Sequence, residues 1–273
     1  KAEVESILSL KINAIMIFDD LFAISPKKIM PYLDVLRFYH KKDDLIFRCF
    51  GHARVIYKFP EIVGMLKSAG CVEMGFGAES ASQKILNKIG KETNVEQLHL
   101  FVNRLIEAGI DVKAFFMIGL PGETKETFNE TYEFVKKYKR KYSDSFDFDL
   151  SIFFPYKGTK IGRIIRLAEG ETATIDGIEY TRKSVQLRPL PGMTWEDIDN
   201  GTFGAYKKKG GDSDDVIESY DWDSEEVLLS GEEMRYLRDK AMGLSKRYTD
   251  SSGRRVFSPQ IEGSIASTNT MPN

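Results

Sequence analysis

Along the first 160 residues, short apolar runs alternate with segments whose apolar residues recur at helical spacing. Five runs read as strands: INAIMIF (12–18), LIFRCF (45–50), CVEMGF (71–76), DVKAFFMI (111–118) and FDLSIFF (148–154). They are continuous rather than alternating, the pattern of parallel strands covered on both faces, and Arg48 interrupts one of them. Helices are predicted between them. Ser25-Pro26 opens the first, with Ile29, Leu33, Leu36 and His40 along one face. Pro60 opens the next, with Ile62, Val63, Leu66 and Ala69 inward and Gly70 as the stop. Thr93 or Asn94 caps a third, with Leu98, Val102 and Leu105 inward and Gly109 ending it. Thr124 caps a fourth, with Phe128, Tyr132, Val135 and Tyr138 inward. Successive strands are roughly 25–40 residues apart, the size of a βα unit. Such alternation predicts an α/β fold with a parallel sheet and right-handed crossovers, either an open doubly wound sheet or part of a (β/α) barrel. Five strands are too few for a full eight-stranded barrel, which takes about 250 residues.

Beyond residue 160 the pattern degrades. Asp176-Gly177 marks a hairpin turn, with IEYTRKSVQLR as its second strand. A helix start is predicted at Thr194-Trp195-Glu196-Asp197, and one or two helices between Leu228 and Tyr248. Residues 199–225 are a polar insert rich in Gly, Asp, Ser and Lys. The expected organisation is therefore a parallel α/β unit over 1–160, an irregular α+β extension over 161–250, and a mobile tail over 251–273.

Charge and composition narrow the function. Among 273 residues, 39 Lys and Arg balance 41 Asp and Glu, for a net charge of −2, which disfavours a nucleic-acid binder. No apolar run approaches the roughly 18 residues of a membrane span, and no signal peptide opens the chain. Two cysteines, Cys49 and Cys71, exclude a disulfide scaffold and any all-cysteine metal site within the chain. Both are expected in the core, and His40, His52 and His99 are too scattered to form a ligand set. KKYKRKY (136–142) reads as the solvated end of a helix.

Position is the informative observation. The predicted strands end in Asp19-Asp20, in Gly75-Phe76-Gly77-Ala78-Glu79-Ser80, in Gly119-Leu120-Pro121-Gly122-Glu123-Thr124 and in Pro155-Tyr156-Lys157-Gly158-Thr159. In parallel α/β architectures ligands bind outside the carboxyl ends of the strands, so these loops bring carboxylates, hydroxyls and glycine backbone to one rim. Each has a plainer reading: a strand leaving for solvent, a helix cap at Glu79-Ser80, a type II turn at Pro121-Gly122. Their joint placement favours a binding site.

FDDLF, AGCVEMGFGAES with ASQKILNKIGKETN, AGIDVKAFFMIGLPGET and FFPYKGT, in that order over residues 5–160, resemble radical S-adenosylmethionine enzymes. The resemblance is to the cobalamin-binding subgroup that includes anaerobic magnesium-protoporphyrin monomethyl ester cyclase. It implies a partial (β/α) barrel lacking its first strand, binding S-adenosylmethionine against a 4Fe-4S cluster for reductive cleavage, followed by methyl transfer or cyclisation. By that resemblance Asp19 and Asp20 stand near the methionyl amino end, Glu79 and Ser80 at the ribose, and Ile118, Gly119, Pro121, Gly122 and Glu123 beside the adenine. Pro155, Gly158 and Thr159 fall at the barrel mouth, and Arg54 matches a loop position. The resemblance also implies a small-molecule substrate, an electron donor such as flavodoxin or ferredoxin, and a cytoplasmic setting. It brings cobalamin through a domain expected upstream.

The family's CxxxCxxC motif is absent, and the first residue is Lys1 rather than Met. The sequence therefore reads as a fragment, inactive alone, whose cluster ligands lie upstream. Two other readings stay open: a Mg-dependent lyase using Asp19, Asp20, Glu79 and Glu123, and a non-catalytic barrel scaffold. A tRNA-modifying methylthiotransferase is disfavoured by the acidic segment 212–226.

Overall fold

The computed structural model describes residues 1–19, 22–153, 156, 158–164, 167, 170–181, 219–220, 227–229 and 231–245. Asp20, Pro155, the 194–197 helix start and the 251–273 tail lie outside the described residues, as does the polar insert apart from Ser219 and Tyr220.

The sheet is five parallel strands: β1 (Ala14–Met16), β2 (Ile46–Gly51), β3 (Cys71–Glu79), β4 (Asp111–Ile118) and β5 (Phe146–Ile152). They lie side by side in chain order. A doubly wound sheet reverses its order at a switch point; this one does not, so it is a partial (β/α) barrel. Met16 aligns with Arg48, Phe50 with Gly75, and Gly75 with Lys113.

The helices connecting the strands are α2 (Pro26–Asp43), α3 (Ala53–Lys58), α4 (Glu61–Ser68), α5 (Gln83–Lys88), α6 (Val95–Glu107) and α7 (Lys125–Tyr142), with α1 (Ala2–Ser9) before β1. Asn94 caps α6 through a capping box with Gln97, its side chain accepting from the Gln97 amide at 2.8 Å. Ile29, Leu33 and Leu36 of α2 and Leu98, Val102 and Leu105 of α6 are buried, as their spacing requires. α1 and α3 have no counterpart in the sequence reading. Each is short, six or eight residues, and α1 buries no side chain, so neither leaves a usable stripe.

The helices cover one face of the sheet. Phe76 meets Phe101 of α6 with ring centroids 4.2 Å apart, and Phe116 meets Phe134 of α7 at 5.8 Å. The opposite face carries Phe18, Phe50 and Phe115, with centroids 6.4 and 5.9 Å apart in turn. Gly75 makes room for them: a Cβ there would lie 2.8 Å from the Phe50 ring and 3.1 Å from that of Phe115. The same face holds ion pairs. Arg48 pairs with Glu73, and Lys113 lies 3.2 Å from Asp147 and 3.0 Å from Asp149. Arg48 therefore does not break β2; it points away from the helices. β5 likewise starts two residues before the predicted run, because Asp147 and Asp149 occupy alternate positions facing Lys113.

Cys49 and Cys71 are buried core thiols, with sulfurs 4.0 Å apart. His40, His52 and His99 have structural roles. The His40 Nδ1 meets the Leu45 carbonyl oxygen at 2.8 Å, His52 caps α3, and His99 stacks on Phe134.

The chain divides into two compact units. The first holds Lys1–Phe116, Glu130–Asp149 and the segment from Met242; the second holds Met117–Asn129 and Leu150–Ala241. In the second, the predicted hairpin forms between β6 (Thr172–Ile175) and β7 (Ile178–Thr181). Asp176 (φ 54°) and Gly177 (φ 79°) make the two-residue turn with positive φ at both positions that matches strand twist. Also there are α8 (Lys160–Ile164), the two-stranded pair β8 (Ser219–Tyr220) and β9 (Val227–Leu229), and α9 (Gly231–Met242), whose first eleven residues belong to this unit.

A candidate cofactor-binding rim

All five strands run the same way, so every loop leaving a strand's carboxyl end leaves the same edge of the sheet. At the end of β3 the register shifts between Gly77 and Glu79. The Ser80 amide donates to the Ala78 carbonyl at 2.8 Å, closing a three-residue turn with Glu79 at φ 61°. A positive-φ turn centred on a side-chain-bearing residue is rare, and such backbone strain costs about 1–3 kcal/mol unless its surroundings enforce it. The turn folds the Glu79 side chain back over the strand. A Cβ on Gly77 would lie 2.6 Å from Glu79 Oε1. Lys91 Nζ meets the same oxygen at 2.9 Å, with both side chains about four-fifths buried.

Lys91 comes from the loop between α5 and α6, and its neighbour Glu92 pairs with Arg54. One short loop thus ties two of the predicted binding residues, Glu79 and Arg54. The Arg54 amide donates to His52 Nδ1 at 3.2 Å. Burial, aided by the nearby charges of Lys91 and Arg54, pulls the His52 imidazole below its usual range, which keeps it neutral and able to accept.

Ser80 is fully buried. Its hydroxyl lies 3.2 Å from the Thr131 hydroxyl of α7 and accepts from the Ser82 amide at 3.1 Å. Thr131 Oγ1 also accepts from the Ala81 amide at 2.9 Å.

The loop after β4 is a built turn. The Glu123 amide donates to the Leu120 carbonyl at 2.9 Å, with Pro121 and Gly122 (φ 78°) between, a type II arrangement. Gly119 has φ 87°, which suits glycine. Ile118, Pro121 and Gly122 are buried, and so is Glu123, whose Oε2 accepts from the Gly119 amide at 2.6 Å. Burial pushes the Glu123 carboxyl up to about 8, against the pull of the Gly119 and Leu120 amides. Its carboxyl is turned to its own loop.

Asp19 is exposed and follows β1. It lines a cavity of about 1050 Å³ with Ile17, Phe18, Phe22 and Tyr32. Gly158 and Thr159 are exposed; Thr159 Oγ1 donates to the Tyr156 carbonyl at 2.7 Å and accepts from the Gly162 amide at 3.0 Å, capping α8.

Sequence reasoning missed Thr131 and the role of Lys91. Lys91 was signalled by the GKET string, whereas Thr131 lies inside a helix at a position that spacing marks only as inward-facing. Among the described residues, no group of three His, Cys, Asp or Glu side chains could hold a metal ion. Cys49 and Cys71 do not fit an iron–sulfur cluster. They are too few, and they sit in the sheet core, Cys71 at the amino end of its strand.

Residues 18–135 match the family described as the radical SAM superfamily. The match is to a radical SAM domain. It spans β2 to β4 and includes Glu79 and, separately, the Gly119–Glu123 turn. Similar proteins include an uncharacterized methyltransferase of Pyrococcus horikoshii, 31% identical over 62% of this chain and 35% of its own length. Another is the anaerobic magnesium-protoporphyrin IX monomethyl ester cyclase of Cereibacter sphaeroides, 40% identical over 54% of this chain and 23% of its own length. The chain thus spans about a third and about a quarter of these relatives. In fold, the radical SAM methyltransferase TsrM of Kitasatospora setae, solved with cobalamin and a 4Fe-4S cluster, superposes with a TM-score of 0.57. It is 19% identical, over 100% of this chain and 49% of its own length.

Proposed function

We propose that the carboxyl edge of the sheet binds S-adenosylmethionine, and that the chain is the cofactor-binding part of an enzyme of radical methyl transfer or cyclisation. The observation that carries this reading is Glu79, a carboxylate held above Gly77 by a strained turn at the end of a radical SAM domain strand. A carboxylate suits the vicinal hydroxyls of a ribose, each of which can donate to it. In this reading Glu79 takes the ribose, with Ser80 fixing its loop. Ile118, Gly119, Pro121 and Gly122 offer backbone to the adenine, while Glu123 holds that loop from within. The sequence resemblance assigns Asp19 and Asp20 to the ligand's ammonium, where opposite charge strengthens a hydrogen bond. It assigns Arg54, Pro155, Gly158 and Thr159 to the mouth.

Once bound and given one electron, S-adenosylmethionine would part at its sulfur–C5′ bond into methionine and a 5′-deoxyadenosyl radical, the chemistry it would supply here. This chain's cysteines do not fit the cluster that would deliver that electron, so its residues are assigned binding and orientation only. A flavodoxin- or ferredoxin-type donor and a cobalamin partner belong to the whole protein. The methyltransferase and cyclase relatives support a small-molecule substrate. Phe18, Phe50 and Phe115 on the face away from the helices offer it apolar surface.

The test is calorimetric titration with S-adenosylhomocysteine, a stable analogue. Wild type is expected to bind, and Glu79→Gln to bind at least about tenfold more weakly, a loss near 1.4 kcal/mol. Equal binding by both would overturn the assignment.

A further inference from the structure

We propose that Thr131 of α7 is a positioning residue for Glu79, acting without touching the ligand. The inference rests on the reading of Glu79 as a ligand-binding carboxylate. Glu79 sits at φ 61° in a three-residue turn that a side-chain-bearing residue does not adopt unaided. Such a conformation persists only where surrounding bonds enforce it. Upstream, Gly77 provides clearance, and Gly77 and Glu79 pair with Phe115 and Phe116 of β4 on either side of the register shift. Lys91 bonds the carboxylate but not the backbone. Downstream, the residues that leave the ladder, Ser80, Ala81 and Ser82, are tied to one point. Thr131 Oγ1 accepts from the Ala81 amide at 2.9 Å and lies 3.2 Å from Ser80 Oγ, which in turn accepts from the Ser82 amide at 3.1 Å.

A hydroxyl has one proton and two lone pairs. Thr131 accepts from Ala81, Ser80 accepts from Ser82, and one of the two hydroxyls donates to the other. Thr131 is 2% exposed and Ser80 0%, so water cannot replace either partner without opening the packing. Removing the Thr131 oxygen leaves the Ala81 amide and the Ser80 hydroxyl without that acceptor or donor in a buried place. The strained turn next to them is then free to relax, and Glu79 swings from its place over Gly77. The hydroxyl stands on α7, an 18-residue helix, while the loop it holds is fifty residues earlier in the chain, so the helix serves as the rigid reference for the rim.

The experiment compares wild type, Thr131→Val, Thr131→Ser, Glu79→Gln and the Thr131→Val/Glu79→Gln double variant of the full chain. It reads S-adenosylhomocysteine affinity by calorimetry and amide hydrogen exchange over residues 79–82. Thr131→Val keeps the shape and loses the oxygen. It is expected to weaken binding about tenfold and to speed exchange at Ala81 by about as much. Thr131→Ser should restore both to within about threefold. In the Glu79→Gln background Thr131→Val should cost no further affinity, since a residue acting through Glu79 has nothing left to position. Equal, additive losses in both backgrounds would mark Thr131 as a structural residue only and overturn the proposal. So would Thr131→Val binding as wild type while Glu79→Gln is weakened, a result that leaves the S-adenosylmethionine reading standing. If Glu79→Gln binds as wild type, that reading falls and this inference with it.

Discussion

Glu79 Oε1 lies 2.6 Å from the point where a Cβ on residue 77 would sit, so Gly77 and the Glu79 carboxylate share one volume. The obstacle is the far end of a flexible side chain, not backbone. Gly77→Ala is therefore expected to displace the carboxylate while leaving the fold almost unchanged, with stability altered by less than about 1 kcal/mol. Thermal unfolding and S-adenosylhomocysteine affinity, measured on the same sample, should separate: the first held, the second reduced about tenfold. A large loss of stability would show that the carboxylate cannot move aside.

Gly75 presents the opposite case. A Cβ there meets the Phe50 ring at 2.8 Å and the Phe115 ring at 3.1 Å, and both rings are wedged across β3. Gly75→Ala is expected to destabilise the domain by about 1–3 kcal/mol, as overpacking does. Denaturant unfolding measures it. Adding Phe50→Leu should recover part of the loss by freeing that volume.

Glu123 ties stability to pH. Its folded carboxyl is raised to about 8 from an ordinary 4.5, so between those values the folded chain keeps a proton that the unfolded chain has released. Stability must then fall as pH rises from about 4.5 to about 8, and level off above. Glu123→Gln retains an oxygen for the Gly119 amide and cannot ionise. The melting temperature of this variant should be flatter than wild type across that window and higher than wild type at pH 9. Parallel curves for the two proteins would refute a proton held at Glu123.

Lys113 is 5% exposed at its side chain and faces Asp147 and Asp149. Burial pushes the Asp147 carboxyl up, but the charges of Lys113 and Lys139 and hydrogen bonds from Ser245 and Lys113 outweigh it and hold the carboxyl below its usual range. A depressed carboxyl contributes stability above its unfolded value, near 3.9, and loses it as pH falls through the folded one. Lys113→Ala leaves Asp147 with Lys139 and Ser245 and Asp149 with solvent, and is expected to cost about 1–3 kcal/mol at neutral pH. The variant should lose less further stability than wild type on acidification. Urea unfolding at pH 7 and pH 3 tests both statements.

Most of the fold was legible because parallel βα units repeat two signals, a continuous apolar run and a capped helix. DVKAFFMI coincides with β4, and Asn94, Ser25-Pro26 and Asp176-Gly177 mark the ends and turns they were expected to mark. The edges of β1, β3 and β5 were less legible. β3 runs on through Gly77 to Glu79, because glycines that read as loop serve as clearance within a strand. At the rim, the residue types were visible, but their division of labour was not. Glu123 and Glu79 look alike in sequence, yet one carboxyl is buried against its own loop amides and the other is paired with Lys91 at the edge. Thr131 was invisible for a simpler reason: its partners are fifty residues away, and only packing brings them together.

Glu79 as the carboxylate that takes the ligand is tested most directly by amide hydrogen exchange of the chain with and without saturating S-adenosylhomocysteine. Slowed exchange over residues 76–82 is the expected result. Exchange unchanged over those residues, or slowed only elsewhere in the chain, would contradict it.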